Sequence, residues 1–314
     1  MIDFKKFSAQ INRAVGLGEV LFDIYDTGPR LGGAPANFVY HCKNAGIESL
    51  VISAVGKDDL GEIARNEMAV HMLPALLNSV DFVTGAVIVK LDENKVPTYT
   101  FKANTAYDHI SLTKLMLDLA PSITVACYGT LAQRNQESHQ AILGFLDAMT
   151  AEHKLRIFDV NLRCNFYSKE IILETLKRSE ALKCNEDELP ILSEMLTGNK
   201  KLNAKEFYLE LKKRGIDFFI FTEGANQSTV FLNDEVSVVP TPKVCVVDTV
   251  GAGDSFTGSL VAFLIKGLPL PEAHKKATEL SAYVCTQKGA MPDMSKYFSK
   301  ISYLSNFGHT TSLN

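Results

Sequence analysis

The string Asp248-Thr249-Val250-Gly251-Ala252-Gly253-Asp254-Ser255-Phe256 constrains this chain more than any other. Residues 244–247, all apolar, precede it and have the length and composition of a buried strand. Residues 256–265 are mostly apolar, contain no proline and read as a buried helix. A strand that breaks at small residues and then enters a helix aims several unpaired backbone N–H groups at one spot. With the positive end of the helix dipole they form an anion site. Gly251, Ala252 and Gly253 leave room for phosphate oxygens to reach the backbone. Asp254 is the odd member, because a carboxylate repels an anion. Its presence makes sense if it faces a hydroxyl that it must deprotonate, as a general base. The plainer alternative is a helix N-cap that accepts a backbone hydrogen bond.

The rest of the chain limits the options. Its 314 residues, 46% apolar, can bury one large core or two modest ones. A net charge of -4 and a pI near 6.0 give no basic field for nucleic acid. The cluster Lys212-Lys213-Arg214 precedes Gly215 and suits a solvated helix end. The six cysteines are scattered without metal spacing, mostly in apolar surroundings, which points to buried free thiols in a reducing compartment. Residues 1–13 lack the apolar run of a signal peptide, and no stretch approaches the roughly 18 apolar residues of a membrane span. A cytoplasmic protein is expected.

Residues 15–22 read as a first strand ending at Asp23 and containing Gly16-Leu17-Gly18-Glu19. The third glycine of a dinucleotide fingerprint is missing, since Leu21 stands in its place. Gly32-Gly33-Ala34-Pro35-Ala36-Asn37 opens a helix that Gly46 ends, and offers a second close backbone approach to a ligand. Asn37 can both donate and accept, which suits sugar hydroxyls. Residues 49–55 form a strand and are followed by a helix to about residue 68. Residues 82–91 and 96–102 alternate around the polar turn 92–95, as an antiparallel hairpin does. That hairpin is either an edge of the main sheet or a lid that excludes water from a cleft. Strands at 123–128, 155–160 and 218–221 alternate with helices at about 136–152, 168–180, 186–196 and 203–214. Such order implies a mostly parallel sheet with helices on both faces and ligands at the C-terminal strand ends.

Several of these strings resemble those of the PfkB, or ribokinase-like, family of carbohydrate kinases, over most of residues 14 to 293. The segment 248–256 resembles its C-terminal signature. Phe158-Asp159-Val160-Asn161-Leu162-Arg163 resembles the D-x-N-x-R segment of the fructokinase and 2-keto-3-deoxygluconate kinase branches, where the planar fork of Arg163 would hold a substrate oxygen or the transferring phosphoryl group. Asn185-Glu186-Asp187-Glu188 resembles the N-x-x-E motif, which implies that Asn185 and Glu188 order Mg²⁺ and its waters. By themselves such residues at a helix start are ordinary caps. Phe221-Thr222-Glu223-Gly224 stands where the family has a nucleotide turn, so the resemblance makes Thr222 and Gly224 ATP contacts. Gln227 replaces a glycine often found there. Residues 288–293 resemble a loop that completes a K⁺ site, from Gly289 and Asp293 with Asp248 and the carbonyl of Val250.

The resemblance further implies that Asp23, Gly33 and Asn37 hold the sugar. With Ala132-Gln133-Arg134-Asn135, the strings look most like bacterial-type fructokinases. The expectation is one three-layer α/β domain over residues 1–314, with a small β lid at about 82–103 joined by 21–31. Its expected activity is phosphoryl transfer from ATP, with Mg²⁺, to a sugar's primary hydroxyl, fructose first. Asp254 is the base, and Gly251, Ala252 and Gly253 form the anion hole. A homodimer through the lid is expected from the family. The rivals are another acceptor, chiefly 2-keto-3-deoxygluconate with Arg163 and Arg134 as cations, and a non-catalytic sugar or nucleotide sensor.

Overall fold

The computed structural model describes residues 1–91 and 97–299. Helix α1 (Phe4–Ser8) precedes strands β1 (Arg13–Leu17), β2 (Leu21–Tyr25) and β3 (Gly28–Gly32). Helix α2 (Ala34–Asn44), β4 (Glu48–Gly56), α3 (Asp59–Val70), β5 (Ala75–Val80), β6 (Gly85–Leu91) and β7 (Pro97–Phe101) follow. Next come α4 (Lys114–Leu119), β8 (Val125–Tyr128), α5 (Gln136–Ala148), β9 (Leu155–Asp159), α6 (Lys169–Leu176) and β10 (Ala181–Asn185). The chain continues through α7 (Glu188–Thr197), α8 (Ala204–Lys212), β11 (Phe218–Glu223), β12 (Gln227–Leu232) and β13 (Glu235–Pro240). It closes with α9 (Ala252–Ile265) and α10 (Leu270–Cys285).

Nine strands form one sheet in the order β13-β12-β11-β10-β9-β8-β1-β4-β5. The pairings from β11 through β5 are parallel, and β12 and β13 add an antiparallel edge. Period-two alternation supplies both faces. Along β11, Phe218 and Ile220 enter one apolar layer, and Phe219 and Phe221 the other. The first layer holds residues of α2, α3, α9 and α10, and the second those of α5 to α8. This is the expected three-layer α/β arrangement. The chain runs from β1 to β4 on one side and returns to β8 on the other, so a topological switch point lies between β1 and β8.

The hairpin of β6 and β7 is not an edge of the main sheet. It belongs to a second sheet, ordered β3-β2-β6-β7, in which β2 and β6 run parallel. Both β2 and β6 follow the C-terminal ends of main-sheet strands, β1 and β5, so the small sheet stands at that end of the main sheet. The turn expected at 92–95 and the tail beyond residue 299 lie outside the described residues.

Two expected strands are corrected. Residues 15–22 are not one strand: β1 ends at Leu17, and Gly18 to Val20 carry the chain across to β2 in the other sheet. Residues 244–247 are not a buried strand but a loop, with Val244, Val246 and Val247 exposed by 38%, 57% and 56%. Its only backbone bonds among the described residues run from Val247 and Asp248 to the carbonyl of Cys285, so no neighbouring strand covers the apolar side chains. The helix opened by Gly33 does end at Gly46, whose φ is +89°. Cys42, Cys127 and Cys184 are buried, whereas Cys164 and Cys245 are exposed, and no cysteine is paired. Among the described residues no helix is long and apolar enough to cross a membrane.

Candidate active site

Helix α9 starts on Gly251, whose φ of +77° and lack of a side chain both matter: a Cβ there would lie 2.4 Å from the Cβ of Ala290. All of residues 255–265 are buried, which fixes the helix end against the sheet. The N–H groups of Gly251 and Gly253 have no acceptor among the described residues. That of Ala252 donates to the carbonyl of Thr249 at 3.2 Å, so of the three expected anion-hole amides it is already engaged. Directly under this turn, Lys183 of β10 and Asp159 of β9 pair at 3.1 Å, both buried. The Lys183 ammonium comes within 3.1 Å of the position a Gly253 Cβ would take. Burial pulls its proton affinity down, but Asp159, Glu188 and Asp254 carry it above the ordinary value. Asp159 is pushed up to about 6 by burial, against the pull of Lys183.

Asp254 follows in the first turn and keeps some open surface. Its Oδ2 accepts from Nδ2 of Asn37 at 2.7 Å. Burial raises its carboxyl above the ordinary range, and the Asn37 hydrogen bond with the charges of Lys183 and Arg163 opposes that rise. Asn37 is itself buried, in the first turn of α2. Gly33 begins that helix at φ +119°, where a Cβ would lie 2.3 Å from the carbonyl oxygen of Glu19. Asp23 stands on β2 next to Gly32, with its carboxyl pushed up to about 6 by burial and by Asp248, against Arg163 and Arg30. Arg163 is exposed, donates to the carbonyl of Leu162 at 3.2 Å, and exerts its charge on Glu19, Asp23 and Asp254. Asp254, Asn37, Gly33, Asp23 and Arg163 thus gather around one end of the sheet.

On the far side, Asn185 and Thr222 are register partners at the ends of β10 and β11. Asn185 Oδ1 caps α7 through the N–H groups of Asp187 and Glu188. Glu188 is buried, with Oε1 accepting from Leu162 N–H at 2.7 Å and Oε2 from Asn185 N–H at 2.9 Å. The pair therefore makes the cap bonds of a helix start and ties β9 to β10. Gly224, at φ +50°, turns the chain into β12, and its carbonyl accepts from Thr241 Oγ1 at 3.0 Å. This bond, with that of Thr241 N–H to the carbonyl of Asn226, fastens residue 241 beside the turn. Gln227 pairs with Glu223 across that turn. Asp248 accepts from Val250 N–H at 3.0 Å and from Gly289 N–H at 3.1 Å. Asp293 does not join them: it is exposed, and its carboxylate accepts from Ser295 N–H.

Two residues were not singled out from the sequence. Glu19 is only 2% exposed, and burial is the main cause that raises its carboxyl to about 7. Lys183 is the other. Lys183 is the middle residue of β10 and Glu19 lies two residues past the end of β1, and neither stands in a local pattern that marks it. Arg134, in contrast, was counted as a cation for an acidic acceptor. The structure pairs it with Asp108, at 2.7 Å through both Nε and Nη2, and with the carbonyl of Lys102 after β7, while its Nη1 is buried without a hydrogen-bond partner among the described residues.

A helix N-terminus open to an anion at the end of a parallel sheet suits the binding of a phosphate group. The chain belongs to the pfkB family of carbohydrate kinases, whose pattern matches residues 1–296. A fructokinase of Klebsiella pneumoniae is 28% identical over 297 residues, covering 88% of this chain and 94% of that protein. An ATP-dependent 6-phosphofructokinase of Thermoanaerobacterium thermosaccharolyticum is 26% identical over 269 residues, covering 84% and 81%. In fold, the chain is similar to the crystal structure of a fructokinase with bound ATP from Xylella fastidiosa. The TM-score is 0.81 at 18% identity, over 94% of this chain and 100% of that one.

Proposed function

We propose that this carbohydrate kinase transfers the γ-phosphoryl group of ATP to the primary hydroxyl of a neutral sugar, D-fructose, to give fructose 6-phosphate. The observation that carries the reading is Asp254, oriented by Asn37 at 2.7 Å, beside the open N–H groups of Gly251 and Gly253. Asp254 takes the hydroxyl proton as the sugar oxygen bonds to the γ-phosphorus. The bond from that phosphorus to the bridging oxygen breaks, and ADP leaves with the electron pair. The two N–H groups face the charge of the transferring group. Asp23, Gly33, Asn37 and Arg163 hold the sugar. Thr222 and Gly224 hold the nucleotide, and the exposed valines of the 244–247 loop suit the flat face of its base.

Asn185 and Glu188 would hold Mg²⁺, which would supply positive charge to offset that of the phosphates. Glu188 and Asn185 fit it only through water, since their oxygens already accept backbone N–H groups. Among the described residues no cluster of three or more acidic, histidine or cysteine side chains offers a denser site, which agrees with an ion held mainly by substrate phosphates. Asp248, Val250 and Gly289 fit a K⁺ ion less well: Arg30 stands 3.6 Å from Asp248, and Asp293 is turned away.

The whole chain acts as one kinase unit, with the small sheet as its lid. A second copy would pair on β3 or β7, the strands at the rims of that sheet. A cytosolic setting suits six unpaired thiols. The carboxylates Asp23 and Glu19 beside Asp254 disfavour an acidic acceptor such as 2-keto-3-deoxygluconate. ADP formation with Mg²⁺ should be followed across fructose, fructose 6-phosphate, 2-keto-3-deoxygluconate, ribose and adenosine. Fructose is expected to lead; an acidic acceptor leading overturns the substrate assignment. Binding of sugar and ATP without ADP formation would instead support a sensor.

A further inference from the structure

Glu19 and Asn37 share a feature with five other described residues, Arg134 and Asp159 among them. Oε2 of Glu19 and Oδ1 of Asn37 are both buried without a hydrogen-bond partner among the described residues. They belong to neighbouring parts of one corner. The Ala34 N–H lowers the proton affinity of Glu19, which puts the carboxyl near the start of α2, and Asn37 lies three residues further along that helix. Gly33 permits the approach, because any Cβ there would strike the Glu19 carbonyl. The Asn37 amide has one workable orientation: Nδ2 donates to Asp254, so Oδ1 points away and needs a donor. A buried acceptor left unmatched costs about 1–3 kcal/mol.

We infer that Glu19 is a positioning residue, whose neutral carboxyl donates a hydrogen bond to Oδ1 of Asn37 and so locks the amide that holds Asp254. The inference rests on Asp254 being the general base. Glu19 has the environment such a donor requires. Burial and the charge of Asp254 hold its proton up to about 7, against its own backbone N–H and Arg163. The groups facing it are Asp254 from α9, Arg163 from the loop after β9, Tyr107 from the turn before α4, and Arg134 from the turn after β8. A glutamine keeps a donor at this place, while an alanine or a shortened aspartate withdraws it.

The test compares Glu19→Ala, Glu19→Gln and Asn37→Ala, alone and in the double Glu19→Ala/Asn37→Ala, by kcat and KM for sugar and ATP. Glu19→Ala is expected to lose roughly 10–10²-fold in kcat, the range for a displaced catalytic group, with KM for ATP unchanged. Glu19→Gln should recover turnover to within about fivefold of wild type, and the double variant should be no worse than Asn37→Ala by more than about threefold, since both act through one hydrogen-bond chain. Glu19→Ala within threefold of wild type overturns the inference, as do fully additive losses in the double variant. Should Glu19→Ala fail to fold, Glu19→Asp carries the same comparison with the same outcomes. Asp254→Asn measured alongside separates the two readings. If it turns over normally, the base assignment fails; if it is inactive while Glu19→Ala is active, only the role of Glu19 fails.

Discussion

Helices α2 and α9 begin alike and end up doing different things. Each starts on a glycine with positive φ, Gly33 at +119° and Gly251 at +77°, and neither has a side-chain cap. They pack against each other, with Gly258 close to the Phe38 carbonyl. At α2 a buried acid of the protein stands near the helix end, since the Ala34 N–H lowers the proton affinity of Glu19. At α9 the N–H groups of Gly251 and Gly253 have no acceptor among the described residues, and the buried cation of Lys183 comes within 3.1 Å of the place of a Gly253 Cβ. One helix end is closed by an internal acid and serves as a frame. The other is open over an internal base and is the place for an anion from outside. Asn37 links the two by holding Asp254.

The comparison breaks most severely at Gly33. Gly33→Ala puts a methyl 2.3 Å from the Glu19 carbonyl oxygen in a backbone region that alanine avoids. A loss of about 4 kcal/mol or more is expected in urea unfolding, and a loss under 1 kcal/mol would show that α2 is not closed in this way. Lys183→Met leaves Asp159 buried without its partner, which costs about 3–5 kcal/mol. Unchanged urea stability would remove the cation from beneath α9.

The smallest effect is the most specific. Glu19 has its proton held up to about 7 in the folded protein against an ordinary 4.5. A raised carboxyl stabilises the fold below the unfolded value and loses that contribution as pH rises to about 7. Above it, the ionised, buried group costs at most about 3 kcal/mol. Glu19→Gln escapes that cost. Its stability gain over wild type should approach that bound at pH 8 and fall below about 1 kcal/mol at pH 5. An equal difference at both values would contradict a neutral Glu19.

The sequence marks the open helix end well and the closed one poorly, for physical reasons. The signature 248–256 is local: its small residues, its carboxylate and the apolar helix behind it all sit in consecutive positions. The parallel sheet was equally legible wherever strands were apolar, as in 155–160 and 218–221. Strand β10 was missed because Lys183 interrupts it, and the partner that neutralises that lysine, Asp159, is 24 positions away. The edge hairpin β12–β13 was missed as well, and residues 244–247 were misread because apolar composition does not reveal that no strand lies beside them. Glu19 carried no local signal, since its burial is produced by α2, α9 and two distant turns.

The most direct measurement is single-turnover transfer from ATP to fructose by Asp254→Asn, beside calorimetric binding of each substrate. The account predicts dissociation constants within a few-fold of wild type and a transfer rate lower by about 10²–10⁴-fold, the range for a lost general base. Transfer within a few-fold of wild type would contradict it, because the open end of α9 would then work without the carboxylate placed beside it.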